Sequence, residues 1–174
     1  SLLAAIDETV TAAGGRLLAR RLMQPLTHPE KIARRLDKVQ LFVEQSKLRA
    51  ELRLLLKTCP DLERALSRIC LERGGPRDLL AIARALTAAR EARLLLADKE
   101  APFDIASSAR AELGNLQDLL ERALLPEPPL LARDGGFVNP GFHAALDEFR
   151  QLRDESRRHV AALQQKYQQE TGIN

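Results

Sequence analysis

The chain has 174 residues, which suffices for one domain with a substantial core and is too short to expect two independent domains. Leu, Ala and Arg dominate, aromatic residues make up 3%, and Trp is absent, a composition that favours helices over strands. The formal net charge is +3, but acids and bases are mixed along the chain, so charge alone neither proves nor excludes contact with nucleic acid.

Several classes of protein are disfavoured at once. Cys59 and Cys70 make no disulfide framework and are predicted to be buried thiols in a reducing compartment. Neither a membrane-spanning apolar run nor a basic leader before Asp7-Glu8 is present, so we expect a cytoplasmic protein. Ser1 is not Met and the chain closes on Gly172-Ile173-Asn174, so we expect both ends to be cut from something longer.

Residues 1–125 predict a succession of helices, whose boundaries are marked by caps, prolines and glycines. After a short apolar turn from Leu2 to Ile6, Thr9 or Thr11 can cap a helix that Gln24-Pro25 ends, because the residue before proline avoids the α region. Later boundaries are predicted at His28-Pro29, Gln45-Ser46, Cys59-Pro60, Gly74-Gly75-Pro76, a loop from Lys99 to Ser107, and a cap at Ser107 or Ser108.

Each of these helices carries an apolar stripe at helical spacing, which we expect to face a core. The stripes are Leu17, Leu18, Leu22 and Met23; Ile32, Leu36, Val39 and Val43, widened by Leu41 and Phe42; Leu48, Leu52, Leu55 and Leu56; Leu62, Leu66, Ile69 and Cys70; Leu79, Ile82, Leu86 and Ala89, running to Leu96; and Leu113, Leu116, Leu120 and Leu124.

A Pro- and Gly-rich connection over 126–140 follows, with Pro126-Glu127-Pro128-Pro129 as a firm break. Asp134-Gly135-Gly136 lies between short apolar runs and can form a small β-hairpin. The third region, 141–174, is predicted to be one long helix from Gly141 to about Thr171, on the order of 45 Å long. Its thin heptad-like seam, interrupted by Arg153 and Ser156, consists of Phe142, Leu146, Phe149, Val160, Leu163 and Tyr167.

The expected fold is therefore all-α: a multi-helix bundle with a long projecting helix and room for one hairpin near Asp134. No phosphate-binding loop motif occurs, and the three histidines, His28, His143 and His159, lack metal-ligand spacing. Carboxylate pairs such as Asp147-Glu148 alternate with arginines and are explained by surface ion pairs. We therefore predict no catalytic, cofactor-binding or metal-binding residue in this chain.

Basic residues cluster at three places, Arg16-Arg20-Arg21, Arg34-Arg35-Lys38 and the long helix. Interleaved acids favour a charged helical surface as the explanation. The long helix is the candidate for non-specific contact with DNA phosphates. The residues concerned are Arg150, Arg153, Arg157 and Arg158.

A series of short strings, in order along the chain, resembles the MutS family of DNA mismatch repair proteins. The strings are Asp7-Glu8-Thr9-Val10-Thr11, Gly15-Arg16-Leu17-Leu18, Gln24-Pro25-Leu26, Ile32 with Arg35-Leu36-Asp37-Lys38-Val39, Asp61-Leu62-Glu63-Arg64 with Arg68, Pro76-Arg77-Asp78-Leu79, Asp134-Gly135-Gly136, Leu146-Asp147-Glu148 with Arg150, and Thr171-Gly172-Ile173. One departure is Arg21, at a position where the family commonly has Trp.

The resemblance implies a division of labour. In the family, a separate domain reads the mismatch with a Phe-x-Glu motif, and another hydrolyses ATP with Mg²⁺ and supplies most of the dimer contact. The matching region is the core and lever that join them and lead to a clamp on duplex DNA. The resemblance therefore implies a non-enzymatic fragment of a bacterial, nucleoid-associated ATPase that acts as a homodimer with a MutL-type partner.

An alternative to a transmission fragment is a free-standing helical interaction module, such as a coiled-coil adaptor. The heptad-like run from Phe142 to Tyr167 motivates it, because such seams commonly pair with a second helix.

Overall fold

The structure is a computed structural model, and it describes residues 1–97 and 111–171. The predicted loop from Lys99 to Ser107, the caps at Ser107 or Ser108, and the closing Gly172-Ile173 lie outside the described residues. Within the described ranges the regular structure is helical, as predicted. The helices are α1 (Leu2–Ile6), α2 (Ala12–Met23), α3 (Pro29–Glu44), α4 (Ser46–Lys57), α5 (Leu62–Cys70), α6 (Pro76–Ala97), α7 (Ala111–Ala123) and α8 (Ala144–Thr171).

Caps and prolines set the helix boundaries as the sequence predicted. Of the two threonines considered, Thr11 caps α2, since its hydroxyl oxygen accepts from the Gly14 N–H at 3.0 Å. Asp61 caps α5 in the same way, through the Arg64 N–H at 3.2 Å. Prolines occupy the first positions of α3 and α6, where the missing N–H costs nothing.

The core is built around α6, which contacts α4, α5 and α7. Its buried residues are spread around the helix rather than confined to one stripe, and three are alanines, whose small side chains let neighbouring helices approach closely. The buried set on α6 is Pro76, Ile82, Ala83, Ala85, Ala88 and Leu96. Leu48, Ala65 and Leu124 are buried outside α6.

The predicted burial of the apolar stripes is confirmed for α4, holds in part for α5, α6 and α7, and is wrong for most of α2 and α3. Leu48 of α4 is buried, with Leu52, Leu55 and Leu56 half-buried beside it. The stripe of α3 is exposed at Ile32, Leu36, Val39 and Val43, while its widening residues Leu41 and Phe42 are half-buried. The buried residue of α5 is Ala65. The reason is that periodicity identifies which residues share a face, whereas burial requires another element to cover that face. Residues predicted to face inward but exposed are Leu17, Leu22, Met23, Ile32, Leu36, Val39, Val43, Leu62, Leu66, Cys70, Ala89, Leu113 and Leu116.

The chain divides into two compact units, Ser1–Phe137 and Val138–Asn174. Near the end of the first, the hairpin considered around Asp134 does not form. Residues Ala132–Asp134 make a short 3-10 helix, and Gly135 and Gly136 end it with φ of +67° and +66°, which glycine adopts without strain. The Phe137 carbonyl instead accepts the Leu125 N–H at 2.9 Å.

The second unit contains α8, a helix of 28 residues. Every residue from 151 to 170 is exposed. Among the helices that the structure describes, none is both long enough and apolar enough to cross a membrane.

Candidate functional site

Arg150, a predicted phosphate contact, has its guanidinium occupied within its own unit. Nη1 donates to Asp147 Oδ1 at 2.9 Å and Nη2 donates to the Val138 carbonyl at 2.8 Å. The other oxygen of Asp147 accepts the Gly141 N–H at 2.6 Å. These contacts fix the approach to α8, and an anion would have to compete with them for Arg150.

The other three arginines of this cluster are more available. Arg153 pairs with its neighbour Asp154 at 2.8 Å, and both side chains are about half exposed. Arg157 and Arg158 are exposed and form no ion pair within residues 111–171. At about 100° per residue, Arg150, Arg153 and Arg157 share one helix face and Arg158 falls on another. The helix therefore brings together three of the four predicted contacts.

A second charged cluster, the Arg16 latch, joins α2 to the start of α5. The Arg16 guanidinium donates to both oxygens of Asp61 at 2.8 Å, and to Glu63 at 2.6 Å. The hydrogen bond from Arg16 lowers the pKa of Asp61 from 3.8 to about 2, and Asp61 and Glu63 together raise the pKa of Arg16. Sequence spacing gave no sign of this contact, because its partners lie more than forty residues apart.

A third cluster, the Arg68 latch, fixes the turn between α5 and α6. Arg68 Nε lies 3.1 Å from both oxygens of Asp78, and its Nη2 donates to the Arg73 carbonyl at 2.8 Å. Asp78 Oδ2 also accepts the Gly75 N–H at 2.8 Å, which satisfies a backbone donor at the start of α6. One carboxylate thus serves both as a helix cap and as an ion-pair partner.

Arginines of α6 also hold the proline-rich segment. Arg77 Nε donates to the Pro128 carbonyl at 3.0 Å and Arg84 Nη2 to the Pro126 carbonyl at 3.2 Å. The two arginines are seven residues apart and share a face of the helix. Because prolines supply carbonyl acceptors but no N–H donors, arginine is a suitable partner for this segment.

A buried polar contact in the core is a side-chain network between α6 and α7. Gln117 is 5% exposed, and its Nε2 donates to Thr87 Oγ1 and Glu121 Oε1, each at 3.0 Å. Thr87 Oγ1 lies 2.9 Å from the same Glu121 oxygen. The network satisfies the buried amide donors and fixes the pairing of the two helices.

Groups that sequence reasoning weighed for other chemistry are dispersed. In the described part of the chain, no three His, Cys, Asp or Glu side chains come close enough to hold a metal ion. Burial raises the pKa of the half-buried Cys59 thiol, which disfavours the nucleophilic thiolate. Cys70, predicted to be buried, is exposed because it lies on the uncovered side of α5.

Known proteins resemble this chain along nearly its whole length. The family described as MutS domain III matches residues 1–169. The chain is 52% identical over 177 aligned positions to the DNA mismatch repair protein MutS of Rhodopseudomonas palustris (strain BisB5), an alignment that covers 99% of this chain and 19% of that protein. It is 48% identical to MutS of Bartonella henselae over 99% of this chain, again 19% of the relative.

The chain thus spans about a fifth of the length of the curated relatives it matches. The helical fold, the ordered strings and the similarity over nearly the whole chain agree with one another. This chain belongs to the MutS family, as a fragment that corresponds to its domain III.

Proposed function

We propose that this chain is the core and first lever of a mismatch repair protein, and that it couples an ATP-hydrolysing domain mechanically to DNA-contacting domains. On this proposal the chain performs no bond chemistry. ATP and Mg²⁺ bind elsewhere in the full-length protein, as do the contacts with a second subunit and a MutL-type partner. Duplex DNA is held by the clamp and mismatch-reading domains.

The proposal rests on the hydrogen bonds and ion pairs by which arginines join separate helices and segments. Arg16 and Arg68 each tie two segments through carboxylates, and Arg77 ties α6 to the segment before the second unit. Such contacts favour a body that moves as a whole, which a coupling element needs. α8 adds an uninterrupted helix of about 42 Å at 1.5 Å per residue, suited to carrying a displacement over that distance.

The isolated chain provides the first test. We expect no ATP turnover, and weak binding of matched and mismatched duplexes with equal affinity, because the exposed arginines of α8 contact only the backbone. Fluorescence anisotropy with the two duplexes, beside a phosphate-release assay, measures both. Tight binding that prefers the mismatch, or ATP turnover, would contradict the proposal.

The exposed seam of α8 favours a second role, pairing with another helix. Leu152 lies beside the predicted seam on the same side of α8, while Arg153 and Ser156 still interrupt the seam itself. The exposed fractions are 68% for Phe149, 53% for Leu152, 55% for Val160, 52% for Leu163 and 59% for Tyr167.

Sedimentation of the isolated chain tests whether this seam pairs with a second copy. A stable dimer that is lost when Phe149 and Leu163 are changed to Asp would support the adaptor function. A monomer at micromolar concentration would exclude homotypic pairing and leave the seam to a helix outside this chain.

A further inference from the structure

A groove rich in positive charge lies along α3 and reaches the end of α2, within the unit Ser1–Phe137. Its volume is about 600 Å³. We call it the α2–α3 groove. Its cationic residues are Arg21, Lys31, Arg34, Arg35 and Lys38, and its apolar residues are Leu26, Val39 and Phe42.

The cations of the groove are concentrated by helical geometry. Residues 31, 34, 35 and 38 of α3 share one face, and the acids Glu30 and Asp37 lie at the edge of that face beside Arg34. Within the described ranges, no ion pair joins Arg21, Lys31, Arg34 or Arg35 to a carboxylate. Within the part of the chain that the structure describes, these four cations are therefore not held in ion pairs like those of the Arg16 and Arg68 latches.

The apolar residues of the groove limit what it can bind. Leu26 and Phe42 are half-buried and Val39 is 54% exposed, so apolar surface lies beside the cations. Arg49 of α4 donates to the Phe42 carbonyl at 2.7 Å and secures this end of α3. A DNA backbone presents phosphates without a continuous apolar face, whereas an acidic amphipathic helix presents both carboxylates and an apolar face.

We propose that the α2–α3 groove docks an acidic amphipathic helix of a second protein. Apolar side chains of that helix pack on Leu26, Val39 and Phe42, and its flanking carboxylates pair with the cations of the groove. The volume matches a few anchoring side chains and lies within the range of small binding sites. This interaction surface goes beyond the coupling function and does not depend on it.

The direct test uses a synthetic helical peptide of about 18 residues, with leucines on one face and glutamates on the other. We expect the 174-residue chain to bind it, and a scrambled peptide of the same composition to bind much more weakly. Changing Lys31→Glu and Arg34→Glu should weaken binding by about tenfold or more, because both cations are exposed and their loss need not disturb the fold. The matched control, Lys57→Glu with Arg90→Glu, changes the net charge equally away from the groove and should bind as the unaltered chain does.

A third variant separates helix docking from general attraction to anions. Val39→Lys adds positive charge while removing apolar surface, so it should weaken the peptide complex and leave binding of a duplex of about 20 base pairs equal or stronger. Circular dichroism shows that each variant is folded. The proposal is wrong if the groove variants lose affinity for the duplex and not for the peptide, or if the chain does not bind the peptide. It is also wrong if the full-length protein does not bind the peptide although the isolated chain does, since the groove is then covered within one polypeptide.

Discussion

Single arginines account for much of how the helices are joined. Arg16 meets two carboxylates, Arg68 meets a carboxylate and a carbonyl, and Arg77 meets a carbonyl, a range of partners that the planar five-donor guanidinium can satisfy. These contacts explain what two of the family-like strings do. Helix caps and ion-pair partners at two turns are supplied by Asp61-Leu62-Glu63-Arg64 and Pro76-Arg77-Asp78-Leu79. Their presence could be read from the sequence, but their partners could not.

The Arg16 latch predicts a dependence of stability on pH. The pKa of Asp61 is 3.8 ordinarily and about 2 in the folded chain, so the folded state favours the ionised carboxylate. Its contribution to the free energy of unfolding is fully present above about pH 4 and is lost as the pH falls towards 2. Urea unfolding between pH 2 and 5 measures it. Asp61→Asn retains a good capping residue and should show a shallower slope in this window. Identical slopes for both proteins would contradict the role of the latch.

Gly75 predicts a steric effect on stability. A Cβ at this position would lie 2.5 Å from the Leu130 carbonyl oxygen, so Gly75→Ala should lower the free energy of unfolding by roughly 1–3 kcal/mol. Gly114 in α7 is the matched control, since a Cβ there meets nothing within 4 Å among the described residues. Gly114→Ala should stabilise by roughly 0.5–1 kcal/mol through helix propensity. Urea denaturation of the two variants should therefore shift in opposite directions, and shifts of the same sign would contradict this account.

At the scale of elements, the helices were predictable and their covered faces were not. Prolines, glycines and N-caps act locally, and they placed the starts of α2 to α6 correctly, whereas α5 ends at Cys70, short of the predicted end at Gly74. The stripe of α3 was equally regular, yet it is exposed. The hairpin near Asp134 was not formed because the Phe137 carbonyl pairs with the Leu125 N–H instead, a choice that turn residues alone do not determine.

The proline-rich segment should depend on the two arginines of α6 that hold it. Replacing Arg77 and Arg84 by Ala removes the donors to the Pro128 and Pro126 carbonyls. We expect the Leu125 amide to exchange hydrogen faster, by about tenfold, because local opening becomes easier. Arg90→Ala, at an exposed position on the same helix, should leave the exchange unchanged. An unchanged exchange rate of the Leu125 amide in the double variant would show that the proline-rich segment keeps its position without these two arginines.

At the scale of the whole chain, the sequence was sufficient for the all-α class and the family. It was insufficient for the core, because small residues dominate there: Ala83, Ala85 and Ala88 are buried while larger residues such as Leu36 and Phe149 are exposed. The sequence was likewise insufficient to show which partners the candidate DNA contacts have. Their positions on a long helix were predictable, but the use of Arg150 to hold Asp147 and the Val138 carbonyl depends on a loop conformation that spacing does not reveal.

The central claim, mechanical coupling through α8, is tested most directly by breaking that helix in the full-length protein. Ala161 is exposed, and proline there should disrupt α8 at a cost of roughly 3 kcal/mol in helix stability without touching the α6 core. Ala161→Gln, a good helix former, is the control. The measurement is ATP turnover with and without a mismatched duplex. We expect Ala161→Pro to keep its turnover without DNA and to lose the response to the mismatch, while Ala161→Gln keeps both. A full mismatch response in the proline variant would contradict the account.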